Sequence, residues 1–207
     1  LKQIGLGIMM YVKDYDERFP MWSWTNSGEV PPGGWAGNYA DTTNAFTWHN
    51  AVYPYTQTRQ IYVCPSSRLT ASGGLMEGQT GLNLALIRTR VDISTTNNLA
   101  SVVSAAGTYM VMDYGTYYAH PSEALTPGGQ NAFLPGGGPH TTGNLPAGTP
   151  SYKIDDFEGG RHFGGVNMGF ADGHVKWLKS EVVVAEAAKF NRLTPQVSAW
   201  DPRTNNQ

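Results

Sequence analysis

Near the start of the chain, Ile4, Ile8, Tyr11 or Val12, and Tyr15 recur at three- and four-residue intervals. That is the period of one helical face, and it predicts an amphipathic helix over residues 1 to about 17. Gly5 and Gly7 sit inside it, each costing about 1 kcal/mol relative to Ala, so packing must hold the helix. Pro20, and the restriction it places on Phe19, stop the helix by Phe19. Asp14, Asp16 and Glu17 gather at its C-terminal end, where the helix dipole disfavours negative charge. A compensating partner is expected, with Arg18 the nearest in sequence and a neighbouring subunit the other source.

Further along, the period shortens to two. Val166, Met168 and Phe170 alternate with small or polar residues, and Val175 and Trp177 repeat the alternation after Asp172-Gly173. A β-hairpin with one shared apolar face is predicted. Asp172-Gly173 would form its two-residue type I′ loop, placing Ala171 opposite His174, Phe170 opposite Val175 and Met168 opposite Trp177. Residues 108–113 are short, apolar and β-prone, the profile of a central strand. Residues 61–64 read as an edge strand or strand end stopped by Pro65, and residues 79–86, containing Asn83, as an extended segment. Residues 48–55 predict a short helix ending at or soon after Pro54, and residues 182–190 a closing helix before an irregular tail. Residues 21–47 read as a long loop anchored by Trp22, Trp24, Trp35, Tyr39 and Phe46. Residues 114–150 read as a second, Gly- and Pro-rich loop. The order gives a single α+β domain.

Composition narrows the partners. Charged residues make up only 14% of the 207 and the net charge is −2, so there is no basic footprint for nucleic acid and no polybasic stripe for anionic lipid. Gly (25), Pro (13), Tyr (11) and Trp (6) are abundant, which suits a loop-rich extracellular domain. Cys64 is the single cysteine, which precludes a disulfide within the chain; on its own it reads as a small buried thiol. No apolar run reaches the eighteen or so residues that a bilayer span needs.

Candidate chemistry is sparse. No Gly-x-Ser-x-Gly, Walker loop or His-Glu-x-x-His is present, and no nucleophile has a motif-placed base, so the chain reads as non-enzymatic. His162 and His174 flank the hairpin with Asp172, and a ligand reading would have them share a metal. No standard zinc-ligand spacing supports it, the turn accounts for Asp172 and Gly173, and His162 reads as a structural histidine. Asp155, Asp156 and Glu158 are the densest acidic group near the hairpin, which reads as a solvated acidic turn or as a half-site for calcium, an ion that favours many oxygen ligands. Otherwise no cofactor is expected. Trp22, Trp24 and Trp35 fit either packing and subunit contacts or a carbohydrate-binding platform.

Three segments carry a family resemblance. His162, nine intervening residues and then Asp172-Gly173 resembles the signature of the prepilin-type "H-X9-DG" proteins, relatives of type IV pilins and type II secretion pseudopilins. Residues 1–11 followed by residues 14–20 resemble the second half of that family's long N-terminal helix and its exit. Trp48, Pro54-Tyr55 and Cys64-Pro65 resemble its middle segment.

The resemblance implies a pilin-like fold. Residues 1–20 would be the C-terminal half of a spine helix, and residues 21–207 a head whose small antiparallel sheet packs across it. It also implies an apolar segment ahead of Leu1, processing by a prepilin peptidase, and self-assembly into a filament at the cell surface. Membrane contact would be made only through that upstream segment. Family members commonly carry another Cys just upstream of Leu1, a second reading for Cys64. Leu1, Ile4, Ile8, Tyr11, Trp22, Trp24 and Trp35 are the candidate assembly residues. The competing class is a secreted carbohydrate-binding or adhesive module that uses the Trp-rich loop.

Overall fold

The computed structural model describes residues 1–20, 23–25, 45–65, 80–83, 85–86, 98–113, 118–119, 121, 162–190 and 197–204. Helix α1 (Lys2–Asp14) leads into strand β1 (Ser23–Thr25). Strand β2 (Ala45–Thr47) and helix α2 (Trp48–Thr56) follow. The main sheet comprises β3 (Thr80–Asn83), β4 (Tyr109–Asp113), β5 (Tyr118–Ala119), β6 (Gly165–Phe170) and β7 (Val175–Lys179), and helix α3 (Ser180–Lys189) comes after it. Strand order is β5-β3-β4-β6-β7. The pairs β3–β4, β4–β6 and β6–β7 are antiparallel, and the two-residue β5 adds in parallel to β3. The architecture is α+β.

The strand expected to be central is central. All five residues of β4 are buried, which simple alternation over a two-faced sheet explains only if both faces are covered. One cluster, on the α1 and α2 side, contains Ile4, Ile8, Val12, Trp48, Val52, Tyr62, Met110 and Val111. The other, on the α3 side, contains Tyr109, Met112, Val166, Met168, Phe170, Val183 and Trp200. Met110 and Val111 are adjacent yet feed the same cluster, because the β4–β6 register slips between Tyr109 and Val111. This bulge inserts one residue into β4 and lets consecutive side chains face α1.

Helix α1 ends at Asp14, earlier than its apolar period suggested. Asp16 and Glu17 turn the chain with φ of 52° and 60°. Local bonds hold that costly conformation: the Leu99 amide donates to the Glu17 carbonyl at 2.8 Å, and the Glu17 amide to the Val12 carbonyl at 2.9 Å. The charge partner expected at this helix end is a hydroxyl: Tyr55 on α2 donates to Asp14 Oδ2 at 2.8 Å. Ile4 and Ile8 are fully buried, packed into this chain's own core, so they do not present an assembly surface. Leu1 and Tyr11 are half-buried against the same cluster. The outward face carries Gln3, Leu6, Met10 and Lys13. Gly7 permits close approach of α2, since a Cβ there would stand 2.9 Å from Val52 Cγ1.

Other expectations are corrected. Residues 61–64 are not a strand: Gln60–Tyr62 forms a 3-10 turn, which Val63 leaves in an extended conformation. The ends of the 21–47 loop pair as a ribbon, with Trp24 opposite Phe46 in β1 and β2. Trp22 and Trp35 lie outside the described residues. Helix α2 does end soon after Pro54, at Thr56, as expected, since Pro54 near its end disrupts little of the helical ladder. The described tail residues, 197–204, are irregular as expected, yet Trp200 is fully buried and donates its indole N–H to the Val183 carbonyl at 3.1 Å.

The hairpin register is shifted by one residue from expectation. Met168 lies opposite Lys176, Asn167 opposite Trp177 and Gly169 opposite Val175. The loop is therefore Ala171–Gly173, three residues long, closed by the Gly173 amide donating to the Phe170 carbonyl at 2.9 Å. Only Gly173, at φ 88°, needs the left-handed region, the signature of a turn closed by a glycine bulge. Asp172 serves instead as a side-chain acceptor for the His174 amide at 3.0 Å. One step of register reverses which face Val175 and Trp177 occupy. They share a face with Gly165, Asn167 and Gly169, while Leu178 pairs with Val166 toward α3.

Candidate functional site

On the α1 and α2 side of the sheet, three distant parts of the chain meet. Cys64 follows the 3-10 turn anchored by Tyr62, which is fully buried and packs edge-on to Trp48 at 5.8 Å. Asp113 is the last residue of β4 and is 6% exposed. His162 occupies the turn entering β6. There, Phe163 at φ 57° and Gly164 at φ 78° reverse the chain, and the His162 amide donates to the Gly165 carbonyl at 3.2 Å.

The geometry is convergent. His162 Nε2 lies 2.9 Å from Asp113 Oδ2, and Cys64 Sγ lies 3.5 Å from the same Nε2. Sulfur, carboxylate oxygen and imidazole nitrogen all fall within 4.8 Å of one another. The surroundings hold each in place. Asn167, one step beyond the Met112–Met168 pair, donates to Asp113 Oδ2 from its side chain at 2.8 Å and its amide at 3.3 Å. Trp177 donates its indole N–H to the His162 carbonyl at 2.8 Å. A Cβ on Gly165 would stand 2.3 Å from the Trp177 ring, so only glycine leaves room for that indole.

Both the thiol and the carboxylate approach the same imidazole nitrogen. A nucleophile–base–orienter relay uses the two opposite ring nitrogens, one for the nucleophile and one for the carboxylate. The trio lacks that arrangement. Instead it presents three donors of different softness to one point, and among the described residues Cys64, Asp113 and His162 form a group that could hold a metal ion.

Among the other sequence candidates, Asp172 and His174 form their own pair at the hairpin tip, ring nitrogen to carboxylate at 2.6 Å. His174 also stacks on Phe170 at 4.1 Å. Burial alone would raise the Asp172 carboxyl, but the amide and ring of His174 outweigh it and hold the group below its ordinary range. His162 and His174 sit at opposite ends of β6, a six-residue strand about 20 Å long, so they cannot share an ion. Asp155, Asp156 and Glu158 lie outside the described residues. Cys64 and Asp113 were not legible as partners. Their only signal was an apolar run ending in Cys-Pro and another ending in Asp.

A second buried polar centre lies on the same side of the sheet. His49 on α2 is fully buried, with hydroxyls at both ring nitrogens: Thr47 at 3.2 Å and Thr80 at 3.2 Å. Burial lowers its pKa to about 3 against the weaker opposing effect of Thr80, which keeps the ring neutral. Comparisons with protein-family models, with curated proteins and with solved structures return no match.

Proposed function

We propose that this chain is a structural subunit of an extracellular pilin-like or pseudopilin-like filament, with α1 as the exposed end of its spine. The observation that carries the reading is the two-sidedness of α1. One face buries Ile4, Ile8 and Val12 against the sheet, while the other leaves Leu6 and Met10 about half exposed, at 51% and 52%. These two residues are one helical turn apart, and apolar side chains on an outward helix face suit contact with a neighbouring helix. The helix-then-sheet order and the His162 to Gly173 hairpin support the pilin-like build. Subunits added head to tail through such a face form an open filament rather than a closed ring. Within the described residues, no helix is long and apolar enough to cross a membrane. On this reading, the filament core would come from the upstream segment that the resemblance implies.

The test is to recover the protein from the producing cells, image the surface fraction by electron microscopy, and sequence its native N-terminus. Filaments whose subunits carry an N-methylated apolar segment ahead of Leu1 are expected. A monodisperse secreted protein whose Trp fluorescence is quenched by polysaccharide would replace this reading with that of a binding module.

A further inference from the structure

We propose that Cys64, Asp113 and His162 form a zinc site that staples the 3-10 turn after α2 to the sheet. This inference does not depend on the filament reading. The donor set is the first argument. A thiolate, an imidazole and one carboxylate together suit zinc, whereas calcium and magnesium demand shells built almost wholly of oxygen.

Distance is the second argument. Tetrahedral zinc with Zn–N near 2.0–2.1 Å and Zn–S near 2.3 Å sets an N to S edge of about 3.5 Å. Cys64 Sγ and His162 Nε2 are 3.5 Å apart. The corresponding N to O edge is about 3.3 Å, against 2.9 Å between His162 and Asp113. The metal-free trio is thus closed by a hydrogen bond, and its His162–Asp113 edge would open by about 0.4 Å to admit the ion.

Preorganisation is the third argument. Asn167 fixes the carboxylate with two donors, and Trp177 fixes the backbone of His162. Groups of this kind, which hold ligands without touching the metal, contribute about 10–100-fold to metal affinity. Charge also balances, because one thiolate and one carboxylate neutralise a divalent cation in a site where both residues are buried. On binding, the Cys64 thiol gives its proton to solvent as the S–Zn bond forms. His162 binds the ion through Nε2, with its ring proton on Nδ1. His162 is the partly exposed ligand, at 21%, leaving a solvent-facing fourth position for water.

The three ligands are evenly spread along the chain, 49 residues from Cys64 to Asp113 and 49 from Asp113 to His162. A cross-link closing loops of that length stabilises largely by restricting the unfolded chain.

The experiment is cobalt and zinc titration of the full chain after chelator treatment. With Co²⁺, a thiolate-to-cobalt charge-transfer band and intense tetrahedral d–d bands are expected at one equivalent. Cys64 is the sole cysteine, so the charge-transfer band assigns the site in the wild-type protein even if every variant fails to fold. Zn²⁺ should displace the cobalt spectrum, release about one proton per site and raise the melting temperature. C64S and H162Q should lower zinc affinity by more than 100-fold, while H174A should leave it unchanged. A weak octahedral cobalt spectrum without the thiolate band overturns the proposal, as does zinc affinity unaffected in folded C64S.

Discussion

The Trp177 indole occupies the space over Gly165 that any Cβ would need. The built Cβ would stand 2.3 Å from Trp177 Cε2 and 2.5 Å from the Leu178 carbonyl oxygen. The ring could yield, but the carbonyl belongs to the β6–β7 ladder and cannot. Gly165→Ala should therefore cost about 1–3 kcal/mol through overpacking and break the Trp177 bond to the His162 carbonyl. The measurement is urea unfolding, read alongside Trp fluorescence. Trp177→Phe, which keeps most of the ring but loses the donor, should cost less, about 1 kcal/mol. Equal losses in the two variants would mean that crowding against Gly165 matters no more than the lost indole hydrogen bond.

Asn167→Ala removes the 2.8 Å side-chain donor to Asp113 and leaves the longer amide bond. The strand should survive, because the position is only partly buried. Zinc affinity is expected to fall about 10–100-fold, with a stability loss of about 1 kcal/mol in the metal-free protein. Competition titration against a chromophoric chelator measures the first quantity and chemical denaturation the second. Affinity equal to wild type would show that the carboxylate is not oriented from this side.

His49 sets an acid limit on the fold. Its pKa is depressed to about 3 by burial, whereas an unfolded histidine titrates near 6.5. Between those values the unfolded chain holds the extra proton, so stability is complete above about pH 6.5 and declines as pH falls towards 3. The loss is about 1.4 kcal/mol per pH unit inside that window, or about 3 kcal/mol by pH 4. His49→Gln, which cannot titrate, should flatten this dependence in urea midpoints measured from pH 4 to pH 7. An unchanged slope in the variant would remove His49 as its source.

Asn83 joins three segments in the middle of the fold. Its side-chain N–H groups donate to the Tyr109 carbonyl at 2.8 Å and the Trp200 carbonyl at 3.2 Å, and its oxygen accepts from the Ala85 amide at 3.0 Å. Asn83→Leu leaves those backbone groups buried and unpaired, at a cost of about 1–3 kcal/mol for each group left unsatisfied. Trp200→Ala should cost about 3–5 kcal/mol by opening the α3-side core. If calorimetry showed the Trp200→Ala midpoint unchanged, the tail would not be part of the cooperative unit.

Local rules made the elements legible where one rule dominated. The period of Ile4 and Ile8, the β-prone run at residues 109–113 and the alternation through Val166, Met168 and Phe170 each marked a real element. Register was not legible, because Asp172-Gly173 suits both a two-residue type I′ loop and the three-residue loop observed. The difference lies in whether Asp172 adopts positive φ or accepts a hydrogen bond. The bulge at Met110 depends on α1 drawing two neighbouring side chains to one face, a tertiary demand without a local signature. The Cys64, Asp113 and His162 trio was hidden for the same reason: a 3-10 turn, the end of β4 and the turn entering β6 are brought together only by tertiary packing, and His162 is drawn away from the hairpin tip where its motif partners lie.

Leu6 and Met10 decide between a filament contact and an ordinary exposed helix. Both are about half exposed on the face of α1 opposite Ile4 and Ile8, so polar substitutions there disturb no internal packing and should change stability by less than about 0.5 kcal/mol. A paired Leu6→Lys, Met10→Lys variant adds two like charges one turn apart. On the filament reading, this variant should abolish surface filaments in the producing cells while leaving the level of folded protein unchanged. Replacing both residues by Ile instead, which preserves apolar character, should retain assembly. Filaments that form normally with the paired Lys variant would show that α1 does not supply the lateral contact.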